Sequence, residues 1–192
     1  MTGRIKYLLL KYRAITLLVF GQRALALDVF QEMLDLFPSD VYALASRAHV
    51  QRALGKTHEA LQDMRRLTEV APTVAANWFN YGFMLEEQGQ YEEAAVAMRR
   101  ATELDPKLDR AWYGLGLIYI RLGRLDEAVA ALKTNTELQP MSPYGWYQLA
   151  RVHVDRQEPV EATKIIRHLN RFEPKVAAQL ERETGLRIAP SA

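Results

Sequence analysis

The chain has 192 residues, 49% of them hydrophobic and 25% charged, enough apolar side chain for a sizeable core. Its formal net charge of +2 excludes the strongly basic balance of a nucleic-acid binder, and zero cysteines exclude disulfides and thiolate metal sites while leaving the compartment open. The first element in chain order is the run Tyr7–Phe20, read as a helix that is apolar on more than one face and flanked by Arg4, Lys6, Lys11, Arg13 and Arg23. Lys11 and Arg13 interrupt the run, so it is neither a membrane-spanning helix nor the core of a signal peptide. No acidic residue precedes Asp28.

From there a ladder governs the chain. Pro38, Pro72, Pro106, Pro140 and Pro174 follow one another at intervals of 34 residues. Gly21, Gly55, Gly89 and Gly123 stand 17 residues before the first four prolines, with Gln157 in the fifth place, and Ala26, Ala60, Ala94, Ala128 and Ala162 stand 12 before all five. This period predicts stacked helix–turn–helix units in which the glycine ends one helix and the proline ends the next. The third unit reads Trp78-x2-Tyr81-Gly82-x2-Leu85, then Ala94-x3-Met98 and Pro106; the fourth reads Trp112-x2-Leu115-Gly116-x2-Tyr119, then Ala128-x3-Leu132 and Pro140. The fifth keeps Trp146, Leu149, Ala150, Ala162 and Pro174, while the first two carry Leu10 and Leu44 in place of the tryptophan. On these residues the chain resembles the tetratricopeptide repeat family over 7–176. The resemblance implies an all-α fold, a right-handed superhelical solenoid of antiparallel helix pairs. Its units fall at 7–40, 41–74, 75–108, 109–142 and 143–176, after an extension 1–6 and before a capping helix 177–186 and a tail 187–192.

Each punctuating residue has a packing reason. Gly82, Gly116, Ala14, Ala48 and Ala150 are small enough for the two helices of a unit to approach closely, with Ala94 and its counterparts facing them; Trp78, Leu85, Met98 and Leu104 fill the remaining space at helical spacing. First helices are expected near Val41–Leu54, Ala75–Gln88, Asp109–Leu122 and Pro143–Arg156. Thr57, Asp109 and Ser142 read as N-caps, the last before a first-turn proline. Asn135 takes the interior place of Ala101 and needs a hydrogen-bond partner, because an orphaned amide costs about 1–3 kcal/mol. From Val176 one more helix runs to Gly185, with Val176 and Leu180 turned inward and Glu181, Arg182 and Glu183 outward, as the open end of a repeat array requires.

Nothing in the sequence supports catalysis. His49, His58, His153 and His168 are widely spaced without an HExxH or CxxC partner, and neither a nucleophile elbow nor a phosphate-binding loop occurs. No metal or cofactor is expected, and the protein is read as a non-enzyme. The paired arginines Arg65-Arg66 and Arg99-Arg100 lie one repeat apart on second helices and read as a solvated outer face rather than a phosphate track. Arginine exceeds lysine and alanine is frequent, which points to a GC-rich bacterial genome.

The face of each first helix left over by the core carries the functional signal. Tetratricopeptide relatives line a concave groove with these faces, and the resemblance implies that a peptide or partner segment docks there. In this sequence the face presents Tyr42 and His49, then Phe79, Asn80 and Phe83, then Arg110 and Tyr113, then Tyr144, Tyr147 and Arg151. Large aromatic surface with few rotors, interleaved with amide and guanidinium donors, suits peptide contact. Family members that clamp an acidic C-terminal tail use lysine, asparagine and arginine from three consecutive first helices. The nearest match here is His49, Asn80 and Arg110, but Ala45 and Gly114 replace two of the basic residues, so only the backbone-gripping role of Asn80 carries over. The expected function is therefore a non-catalytic adaptor or scaffold for a protein partner, cytoplasmic, at most peripheral to a membrane. For the N-terminal helix three readings stay open: an inner helix folded onto its neighbour, a self-association surface giving a homo-oligomer, or attachment to an anionic membrane surface through Leu8, Leu9, Ile15, Leu18, Val19 and Phe20. As a piece of a longer chain, the array would instead be the recognition arm of an enzyme, as in relatives that precede glycosyltransferase and sulfotransferase domains.

Overall fold

The computed structural model describes residues 3–188, and among them there are eleven helices and no strand. They run in order α1 (Gly3–Val19), α2 (Arg23–Leu36), α3 (Val41–Ala53), α4 (Thr57–Val70), α5 (Ala75–Glu87), α6 (Tyr91–Leu104), α7 (Asp109–Arg121), α8 (Leu125–Leu138), α9 (Pro143–Asp155), α10 (Pro159–Leu169) and α11 (Pro174–Thr184). The fold is all-α, and the ladder is its punctuation. Gly21, Gly55, Gly89 and Gly123 sit in the turns after α1, α3, α5 and α7, with φ of 71°, 76°, 73° and 70°, a left-handed conformation that costs a side-chain-bearing residue energy. Gln157 adopts the same conformation at φ 61°. In these turns the backbone closes the helix end itself, as where the Lys56 amide donates to the Gln51 carbonyl (2.9 Å) and the Glu158 amide to His153 (2.8 Å).

Two compact units make up the chain, Met1–Leu85 and Glu86–Ala192. In the first, α1 to α4 bury Phe30, Met33, Leu44 and Leu67 around the fully buried Ala14, Ala26, Ala48 and Ala60. Arg47 on α3 pairs with the buried carboxylate of Asp63 on α4 through two short bonds of 2.7 and 2.5 Å. In the second, Leu132 of α8 lies so close to α7 that a Cβ on Gly116 would stand 2.6 Å from its Cγ. Asn135 is buried, and its Nδ2 donates to the Asp109 carbonyl at 2.9 Å, the partner the sequence required. A Cβ on Gly145 of α9 would strike the Asn135 amide oxygen.

A regularity that the sequence did not disclose ties the tryptophans to the ladder. The indole N–H groups of Trp78, Trp112 and Trp146 donate to the carbonyls of Pro72, Pro106 and Pro140 at 2.8, 2.9 and 2.9 Å. Each pins the loop ahead of a first helix to that helix. The expected helix ends need small corrections. The four interior first helices stop one residue earlier than expected, at Ala53, Glu87, Arg121 and Asp155. Thr57 and Asp109 are first helical residues rather than caps; Lys56 and Leu108 hold the cap positions without a side-chain bond, and Ser142 is a cap whose hydroxyl makes none either. Pro174 opens α11 rather than trailing α10, and Ala177 and Leu180 form its buried side while Val176 is half-buried. Gly185 ends α11 at φ 73° as expected.

Candidate functional site

In the first unit, α3 and α5 carry Ala45, His49, Arg52, Asn77, Asn80 and Phe83 around a cavity of about 150 Å³ floored by Met64, Leu67 and Met84. The size suits one side chain. Phe83 is exposed, runs parallel to Phe79 with ring centroids 6.4 Å apart, and lies under the Arg52 guanidinium at 5.2 Å. Asn80 and His49 are exposed at the rim. Asn77 was not foreseen. It occupies the place of the small Ala43 and Ala111, it is buried, and its Nδ2 has no hydrogen-bond partner among the described residues. A buried N–H donor left without a partner costs about 1–3 kcal/mol. Tyr42 sits apart from it, half-buried against Phe30 with the Lys11 ammonium 4.3 Å above its ring.

In the second unit α7, α9 and α11 bring three of the predicted tyrosines together. Tyr113, Tyr144 and Tyr147 line a cavity of about 290 Å³ with Pro143, Gln148, Val176 and Gln179. Tyr144 is 70% exposed, far more than a core tyrosine. The Tyr147 hydroxyl donates to Glu183 at 2.6 Å and accepts from Arg151 at 3.3 Å, which fixes its ring. Glu183 is held below the usual carboxylate range by the bonds from Tyr147 and then Gln179. Burial pushes the Tyr113 hydroxyl above its ordinary value, partly offset by Gln148.

Gln148 is shared with a second, more polar cavity of about 370 Å³, lined by Glu86, Leu117, Ile120, Arg121, Arg151 and Asp155. Glu86 is half-buried, and that burial raises its carboxyl above the ordinary range against the opposing pull of Arg121. Of the predicted set, then, His49, Asn80 and Phe83 meet around one cavity, Tyr113, Tyr144 and Tyr147 around another, and Arg151 joins the third. Phe79 stacks beside the first, while Arg110 is exposed on α7 and lines none of the three. Sequence reasoning missed Arg121 and Asp155, which lie one helical turn beyond Leu117 and Arg151 on the same face, and Gln179, which comes from α11.

Family models described as tetratricopeptide repeat match residues 45–109 and 85–147, together more than half of the chain. No curated protein matches its sequence. Solved structures similar to it include MamA 41-end from Desulfovibrio magneticus RS-1, 20% identical with a TM-score of 0.76, covering 93% of this chain and 96% of that one. YrrB, described as a TPR protein with an unusual peptide-binding site, is 19% identical with a TM-score of 0.77 and 88% coverage of both chains. PilF of Pseudomonas aeruginosa is 22% identical with a TM-score of 0.68, covering 95% of this chain and 92% of that one. At these identities the likeness is one of fold.

Proposed function

Since the chain belongs to the tetratricopeptide repeat family, we propose that it is a non-catalytic protein–protein interaction scaffold that docks peptide segments of a partner on the faces of its first helices. The observation that carries this reading is the tyrosine-lined cavity of the second unit, where Tyr113, Tyr144 and Tyr147 surround about 290 Å³ with Tyr144 largely in solvent. Aromatic side chains in that position offer large contact area at small entropic cost. The polar cavity beside it supplies both signs of charge, and Gln148 between them can pair with the peptide backbone. In the first unit, the exposed Asn80 offers an amide at the rim of an apolar floor, which suits a side chain flanked by a backbone carbonyl. YrrB, similar in fold, is described as having a peptide-binding site, which is consistent with the proposal.

Selection of binders from a random-peptide display library with the full chain, followed by titration calorimetry, tests it. Asn80→Ala is expected to weaken a peptide engaging the first unit about fivefold, the loss of one hydrogen bond of about 1 kcal/mol. Failure to select any binder would count against the proposal.

A further inference from the structure

Helix α1 spans Gly3–Val19 without a break. Leu10 and Ala14 are its buried residues, and Tyr7, Leu17 and Leu18, all half-buried, pack against the same core, so Leu18 lies on the core side of the helix. The opposite side is the unusual one. Placed around the helix at 3.6 residues per turn, Ile15, Leu8, Val19, Tyr12, Ile5, Thr16, Leu9 and Phe20 fall in that order on one continuous arc of about 140°. Every one of them is exposed, with Val19 at 76% and Phe20, just past the helix end, at 74%. The arc's polar groups are the hydroxyls of Tyr12 and Thr16, and that of Thr16 is already bonded to the Tyr12 carbonyl at 2.9 Å, so it can leave water at little cost. The borders of the arc are as regular as its interior. Arg4 and the half-buried Lys11, whose ammonium lies over the Tyr42 ring, stand along one edge, Arg13 and Lys6 along the other, and the helix contains no carboxylate. Lys6 and Arg13 each reach Glu32 of α2, at 3.7 and 4.0 Å, distances that hold them on the rim without burying them.

Repeat register shows that this face is normally covered. Val50, Met84, Ile118 and Val152 stand at the position of Thr16 in later repeats, and Ala43, Asn77, Ala111 and Gly145 at that of Leu9, and all of these are buried. Charge decides among the occupants that could cover it here. A second copy laid α1 against α1 would bring basic rims together in either direction, because both edges are net basic even with Glu32 beside Lys6 and Arg13. A surface that is apolar in depth and anionic at its rim matches both edges at once. We propose that α1 lies in the interface of an anionic membrane, its apolar arc among the upper acyl chains and its four rim cations among the headgroups. Among the described residues no helix is long and apolar enough to cross a bilayer, so the attachment is peripheral.

Co-sedimentation of the full chain with phosphatidylcholine vesicles, with and without phosphatidylglycerol, tests this. Binding to the anionic vesicles only is expected, weakening as salt is raised. The uncharged triple change Leu9→Gln, Val19→Gln and Phe20→Gln removes exposed apolar groups alone, so circular dichroism should be unchanged while vesicle binding falls at least about tenfold. Lys11→Gln with Arg4→Gln should weaken it severalfold. No binding to anionic vesicles would overturn the proposal, as would full binding by the triple variant, which would reduce the effect to charge. Light scattering that shows an oligomer abolished by the triple change, with no vesicle binding, would assign the face to a second copy instead.

Discussion

Gln157 carries the left-handed backbone that four glycines carry elsewhere in the ladder, and it is the one non-glycine residue with positive φ among those described. Its neighbourhood supplies reinforcement: Glu158 accepts from Arg156 at 3.0 Å and meets His153 Nδ1 at 2.6 Å, and Arg156 also reaches Asp126. The side chain of Gln157 itself is exposed, so Gln157→Gly should relieve strain without removing a contact and stabilise the protein by roughly 1 kcal/mol. Urea unfolding checks this; a lower midpoint would mean that the turn is not strained. Glu86 gives a second test. Its carboxyl is raised first by burial and by Glu87, with Arg121 opposing. A carboxyl whose folded pKa exceeds its unfolded value binds its proton more tightly when folded, so stability falls as pH rises from the ordinary carboxylate range through the raised value. Glu86→Gln should therefore be more stable than the parent at about pH 7, and the gap should close towards about pH 4. A gap independent of pH would contradict the assignment.

Helices α7, α8 and α9 show what the small residues secure. Gly116→Ala would drive a Cβ into Leu132, and Gly145→Ala would displace Asn135 from the Asp109 carbonyl. Each should cost about 1–3 kcal/mol, the usual range for overpacking, and thermal unfolding of the two variants measures it. Gly116 was legible in the sequence because its spacing from Trp112 and Tyr119 marks a close approach; Gly145 was not, because it depends on which side chain of the preceding unit lies opposite. The same division runs through the elements as a whole. Glycines and prolines act on local backbone, so helix positions followed from them to within a few residues. Caps were misread at Thr57 and Asp109 by one residue, because each opens its helix and leaves the cap position to Lys56 and Leu108. Helical spacing placed the aromatic residues on the first helices, while the expectation that a partner docks against them came from the family resemblance. Asn77, Arg121, Asp155 and Gln179 were not legible, since each acquires its place only once a neighbouring helix encloses a cavity.

Across the described residues, the first and last helices turn different surfaces to solvent. The C-terminal helix α11 buries Ala177 and Leu180 and presents Lys175, Gln179, Arg182 and Glu183 to solvent, while α1 presents Leu8, Leu9, Val19 and Phe20. Each unit carries cavities lined by its first helices, and the proposed scaffold function rests on those faces rather than on any reactive group. The distinction from a purely structural aromatic surface is energetic, because residues that anchor a partner lose about 2 kcal/mol or more each on truncation. The most direct test is calorimetric titration of a display-selected peptide into the full chain and into the combined variant Phe79→Ala, Phe83→Ala and Tyr113→Ala, with circular dichroism to establish that both are equally helical. The account predicts that binding falls by at least about a hundredfold in the variant; an unchanged dissociation constant in a fully helical variant would contradict it.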